Sequence, residues 1–195
     1  WNVKRIRPAA FAPYDLAREA YTRQLWAFEG ITSYYDDLAL LKCGVIDAAS
    51  YLELLGRTAT AVQRTPGRHV QSAADASFDA WIKYYRPDEN TPNAGVSYYA
   101  KGALVALALD LTLRRDGSSL DALMRELWRR YGETRVGVPE DGIARLAAEL
   151  AGRDLAGFFA ACVDGTDEIP LAELLASHGV KLALRLLEGP KDRGG

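Results

Sequence analysis

At 195 residues the chain is long enough to bury a sizeable hydrophobic core in one domain. Its 24 Lys and Arg residues against 26 Asp and Glu give a net charge of −2 with no basic block, which excludes the electrostatic footprint of a nucleic-acid binder. The two cysteines, Cys43 and Cys162, stand far apart without metal-ligand spacing, which argues against a disulfide framework and leaves both as small core hydrophobes.

The first residue is Trp rather than Met, with no signal-like apolar run behind it, so the native N-terminus is expected to lie upstream. Residues 1 to about 24 carry Pro8 and Pro13 and no sustained periodicity, and read as an irregular lead. A helix is predicted from near Trp26: Ile31, Tyr34, Tyr35, Leu38 and Leu41 form an apolar stripe, and Gly44 supplies the stop. On its other side Glu29, Thr32, Ser33 and Asp36 share a polar face. Asp47 and Ser50 suit the start of a second helix, which Pro66-Gly67 ends. A shorter helix is expected around Phe78, Trp81 and Ile82, followed by an exposed loop over residues 86–93.

From Ala100 to Leu113 the chain is apolar on nearly every side, as befits a central buried helix. Its longest apolar run, Ala103 to Leu109, is far below the roughly 20 residues that span a bilayer, so no membrane partner is expected. Ser118 with Asp121, Pro139, Asp154 and Pro170 mark further helix starts. Residues 180–186 alternate at period two and read as a short terminal strand. Residues 1–187 thus form one all-α helical bundle, and residues 188–195 look like a linker or tail.

Glu29 is the first candidate for chemistry. A carboxylate in a first helical turn, beside Trp26 and Gly30, can ligate a metal or simply favour the helix dipole. A catalytic zinc takes about three protein ligands plus water. The chain offers only His69 and His178, neither within HExxH, so a complete metal site inside this chain is not expected. Both histidines read as structural or surface residues. Lys101 and Asp110 sit in the most apolar helix, where each is expected to find a structural partner.

The segment Leu25-Trp26-Ala27-Phe28-Glu29-Gly30-Ile31-Thr32-Ser33-Tyr34 is similar to the one that supplies the glutamate ligand in gluzincin metallopeptidases. Tyr99-Ala100-Lys101-Gly102 resembles the Tyr-x-Lys-Gly element that carries a catalytic tyrosine in gluzincin aminopeptidases. Within that group, Tyr34-Tyr35-Asp36-Asp37 and the opening Trp1-Asn2-Val3-Lys4 resemble the glycyl aminopeptidase family. In that family the opening run follows the HExxH helix, so the two zinc histidines are expected just upstream of Trp1. The resemblance implies the C-terminal helical half of a thermolysin-like catalytic domain. It makes Glu29 the third zinc ligand and Tyr99 the oxyanion donor, in preference to its neighbour Tyr98. Asp36, on the Glu29 side of the helix, is the candidate for orienting a metal-bound histidine.

The implied function is a zinc-dependent aminopeptidase that removes N-terminal residues, Gly and Ala preferred. This fragment alone would be inactive and would hold no zinc. Its implied partners are a peptide substrate, the upstream part of the same catalytic domain and a downstream PDZ-like domain. Two alternatives stand beside it: a gluzincin endopeptidase, and a non-catalytic helical interaction module presenting the aromatics around Tyr84 and Tyr85.

Overall fold

The most apolar stretch of the sequence becomes the axis of the fold. In the computed structural model, which describes residues 2–186, 188, 189 and 192, the helix α6 spans Tyr98–Arg115 and buries nearly every side chain from Lys101 to Leu113. Ser97 caps it by accepting the Ala100 N–H, and Arg114 and Arg115 lie in its last turn, where the dipole favours cations. The stretch Thr91–Arg115 could pass for a membrane span by length and composition. Yet 83% of its apolar window is buried inside the molecule, the place of a core helix.

Around this axis pack α1 (Leu25–Phe28), α2 (Gly30–Lys42), α3 (Ala48–Gln63), α4 (Ala73–Phe78) and α5 (Thr91–Ala94), followed after α6 by α7 (Leu120–Leu127), α8 (Gly142–Ala151), α9 (Ala156–Phe159) and α10 (Leu171–Ala176). Asp47 caps α3 by accepting the Ser50 N–H at 2.8 Å, and Ser72 caps α4 from Asp75 at 2.9 Å. The irregular lead is pinned at its middle: Ala9 N–H donates to the Val138 carbonyl and Val138 N–H to the Arg7 carbonyl, both at 2.8 Å. Ile6, in the same segment, is fully buried.

The all-α class is observed, and its details depart from the expected boundaries in physical ways. The α7 cap is Ser119 rather than Ser118. Pro139 does not begin α8; its carbonyl accepts the Gly142 N–H at 2.8 Å, closing a turn, and the helix starts after it. No strand forms over residues 180–186, where Leu184 and Leu186 are 87% and 92% exposed. Alternation alone cannot make a strand without a partner for its backbone groups. The tail expected over residues 188–195 lies outside the described residues except at Glu188, Gly189 and Asp192. Cys162 is buried as expected, whereas Cys43 ends α2 in solvent.

Asp110 ties three helices together. Its buried carboxylate accepts from the Tyr34 hydroxyl of α2 at 2.8 Å, from Arg114 Nε at 2.9 Å and from the Leu120 N–H that opens α7 at 2.7 Å. Asp110→Ala strands the hydroxyl and the amide in the core. It is expected to cost about 3 kcal/mol, read as a lower urea midpoint.

Candidate functional site

The two segments that carry Glu29 and Tyr99 meet backbone to backbone. A Cβ on Gly30 would lie 2.4 Å from the carbonyl carbon of Gly102, and one on Gly102 would lie 2.4 Å from the Trp26 carbonyl oxygen. Only glycine permits this crossing, since the obstructing atoms are main chain and cannot swing aside. It sets the α1–α2 junction against the first turns of α6, one residue beyond Glu29 and three beyond Tyr99.

Glu29 occupies that junction. Its N–H donates to Leu25 and its carbonyl accepts from Ser33, each at 2.8 Å, so the helical path runs on through it. Although it is the residue preceding α2, its side chain makes no capping hydrogen bond. Among the described residues its half-buried carboxylate accepts no hydrogen bond and pairs with no cation. Burial raises its pKa above the ordinary carboxylate value. An acid with neither cap nor counter-ion suits a cation that binds from outside the described residues.

Tyr98 and Tyr99 divide as the turn of a helix requires. Tyr98 is buried, and Tyr99, stacked on it at a ring separation of 4.6 Å, is half-exposed. The Tyr99 phenol is pushed up to about 12, by burial first, then by its hydrogen bond with Tyr85 and by the negative charge of Glu29. It therefore stays a proton donor through neutral pH, and Glu29 is close enough to be felt electrostatically. Tyr85 Oη lies 3.0 Å from Tyr98 Oη and 3.4 Å from Tyr99 Oη, and the Tyr84 ring packs 4.9 Å from Tyr98 and 5.9 Å from Tyr99. Tyr84 and Tyr85, the aromatics that the non-catalytic alternative presents to a partner, lie around Tyr99.

The N-terminal run arrives at the same place. Asn2 Nδ2 donates to the Phe28 carbonyl and to Thr32 Oγ1, both at 3.3 Å, and the Thr32 hydroxyl donates to the Phe28 carbonyl at 2.7 Å. Val3 is held at φ 68°, a backbone state that a β-branched residue rarely takes. Asp36 lies two turns along α2 from Glu29, exposed and without a side-chain hydrogen bond among the described residues. The structure does not join it to Glu29 or Tyr99.

His69 approaches Glu168 at 3.8 Å, and His178 Nδ1 contacts the Leu174 carbonyl at 3.0 Å. Among the described residues no three His, Cys, Asp or Glu side chains converge to hold a metal.

The family model of the M61 glycyl aminopeptidases matches residues 1–105, more than half of the chain. The chain belongs to that family. Both glycines of the crossing, Glu29 and Tyr99 fall inside the matched segment of this M61 chain. It is also similar to the crystal structure of an aminopeptidase N family protein from Idiomarina loihiensis, at a TM-score of 0.95 and 42% identity. The similarity covers 100% of this chain and 34% of that one, so the chain spans about a third of that relative's length. Among curated proteins nothing matches.

Lys101, between Tyr99 and Gly102, departs from expectation. Its ammonium is buried and makes no hydrogen bond among the described residues, facing a cavity of about 20 Å3 that Arg68 and Glu168 also line. Arg68 engages Glu168 at 3.1 Å, and among the described residues the lysine has no direct partner. Burial holds its pKa below the ordinary lysine value. A lysine that is harder to protonate folded than unfolded opposes folding while charged, and this opposition fades as pH rises from its folded pKa toward the ordinary value. Lys101→Met is expected to raise stability at pH 7 by about 1–3 kcal/mol, with the gap to wild type narrowing as urea denaturation is repeated toward pH 10.

Proposed function

We propose that this chain supplies the glutamate ligand and the oxyanion-stabilising tyrosine of a zinc aminopeptidase whose histidine ligands lie elsewhere in a longer protein. The reading rests on one observation: main-chain contact of Gly30 with Gly102 sets the segment bearing a half-buried carboxylate, without a partner among the described residues, against the segment bearing the half-exposed Tyr99. Membership of a glycyl aminopeptidase family and likeness to an aminopeptidase N family protein support it.

Glu29 would hold the metal, and its raised pKa fits a site that is costly to ionise until a cation arrives. Bound zinc supplies Lewis-acid polarisation and a water of lowered pKa. Tyr99 keeps its proton at working pH and donates a hydrogen bond to the oxygen that turns anionic as the scissile carbonyl becomes tetrahedral. Tyr85 and the stacked Tyr98 orient that phenol. The substrate is a peptide with a free amino terminus, Gly and Ala preferred. The isolated chain is inactive, because Glu29 alone cannot complete a coordination sphere.

In the full-length protein Glu29→Ala is expected to lose both zinc and turnover. Tyr99→Phe is expected to keep zinc and KM while kcat falls about 10²–10³-fold. Metal analysis beside steady-state kinetics on a glycyl substrate checks both; wild-type zinc and turnover in the two variants would remove the assignment.

A further inference from the structure

Beside Tyr99 stands a second exposed phenol. Tyr85 Oη lies 3.0 Å from Tyr98 Oη and 3.4 Å from Tyr99 Oη, so three hydroxyls meet at one place. Their exposure differs: Tyr98 is 1% exposed, Tyr99 is half-exposed and Tyr85 is 60% exposed. The segment carrying Tyr85 is anchored, since its N–H donates at 3.1 Å to the carbonyl of the buried Ala80 and its ring meets that of Tyr84 edge-on at 5.3 Å.

Each phenol brings one O–H. Tyr98 is out of reach of bulk water and burial raises its pKa, so its proton stays on and must find an acceptor inside the cluster. That acceptor is an oxygen of the exposed pair, which leaves the two protons of Tyr85 and Tyr99 for the outer side. With nothing bound, the pair shares one of them across 3.4 Å, a long contact for two hydroxyls. Two oxygens at that separation can both stand about 2.8 Å from a single third oxygen. Such a point is open to solvent, because Tyr98 takes up the buried side of Tyr85.

Two donors converging on one oxygen favour an oxyanion over a neutral carbonyl, since hydrogen bonds strengthen as the acceptor gains charge. We infer that Tyr85 is a second catalytic donor, which joins Tyr99 on the same oxygen as the scissile carbonyl becomes tetrahedral. This role rests on the assignment of Tyr99 to that oxygen and goes beyond it. At rest Tyr85 orients the Tyr99 phenol; in the reaction it touches the substrate itself. Both phenols keep their protons throughout, and only hydrogen bonds are exchanged.

The test uses the full-length, zinc-loaded protein with a glycyl substrate and with a phosphinic analogue of a glycyl dipeptide, whose tetrahedral anionic centre stands in for the intermediate. Tyr85→Phe is expected to keep zinc, circular dichroism and KM while kcat falls about 10–10²-fold and the Ki of the analogue rises by the same factor. A residue that only orients Tyr99 has nothing left to do once that phenol is gone, so the decisive arm is the Tyr99→Phe background. There Tyr85→Phe is expected to lower kcat by a further factor of about five or more. The donor role of Tyr85 is overturned if Tyr85→Phe turns over like wild type, if it leaves the Ki of the analogue unchanged, or if it has no effect in the Tyr99→Phe background. Failure of the Tyr99 assignment shows separately, as wild-type turnover in Tyr99→Phe alone.

Discussion

The crossing of Gly30 over Gly102 is the constraint from which the site follows. With no side chain on either residue, the start of α2 lies directly on the first turns of α6, closer than any alanine would allow. Each glycine immediately follows chemistry-bearing residues: Glu29 precedes one, Tyr99 and Lys101 the other. A contact between main chains is stiffer than one between side chains, so the relative position of the carboxylate and the phenol is set by the backbone. Such rigidity is what an oxyanion donor needs, since its value depends on being in place before charge develops.

Three ionisable groups, two beside this crossing and one eight residues along α6, show how differently the fold treats buried charge. Asp110 sits deep in α6 and is satisfied on both oxygens by Tyr34, Arg114 and the Leu120 amide, which turns an expensive group into a tie between helices. Among the described residues Glu29 has no such company, and Lys101 has none within hydrogen-bonding distance. For Glu29 the absence of a partner coincides with an open neighbour in Tyr99 and with an N-terminal segment, around Asn2, docked on the adjacent turn. We propose that the unpaired acid in that setting is one ligand of a larger set. For Lys101 no such setting exists, and the group reads as an energetic cost of the Tyr-x-Lys-Gly segment.

Much of this was legible in residue order, and what was missed has physical causes. The central helix announced itself by the apolar run after Ala100, and the cap at Asp47 follows from a short side chain that accepts a backbone amide. Glu29 and Tyr99 were singled out through motif resemblance; of the two adjacent tyrosines, Tyr98 is buried and Tyr99 half-exposed. The place of Tyr84 and Tyr85 could not be read, because it depends on a long-range fold-back against α6. The strand over residues 180–186 was overread: alternation reports a face but not a partner strand. Pro139 was misplaced because a carbonyl that closes a turn is indistinguishable in sequence from the start of a helix.

Backbone contact between two glycines positions the acid and the phenol. Its most direct measurement is turnover and folding stability of Gly102→Ala determined together in the full-length protein. A Cβ 2.4 Å from the Trp26 carbonyl oxygen must push α6 from the α1–α2 junction, so stability is expected to fall by about 1–3 kcal/mol. Turnover, assayed where the variant is still fully folded, is expected to fall by at least about 10²-fold, the scale set by a misplaced catalytic group. A folded Gly102→Ala protein with wild-type turnover would contradict the claim.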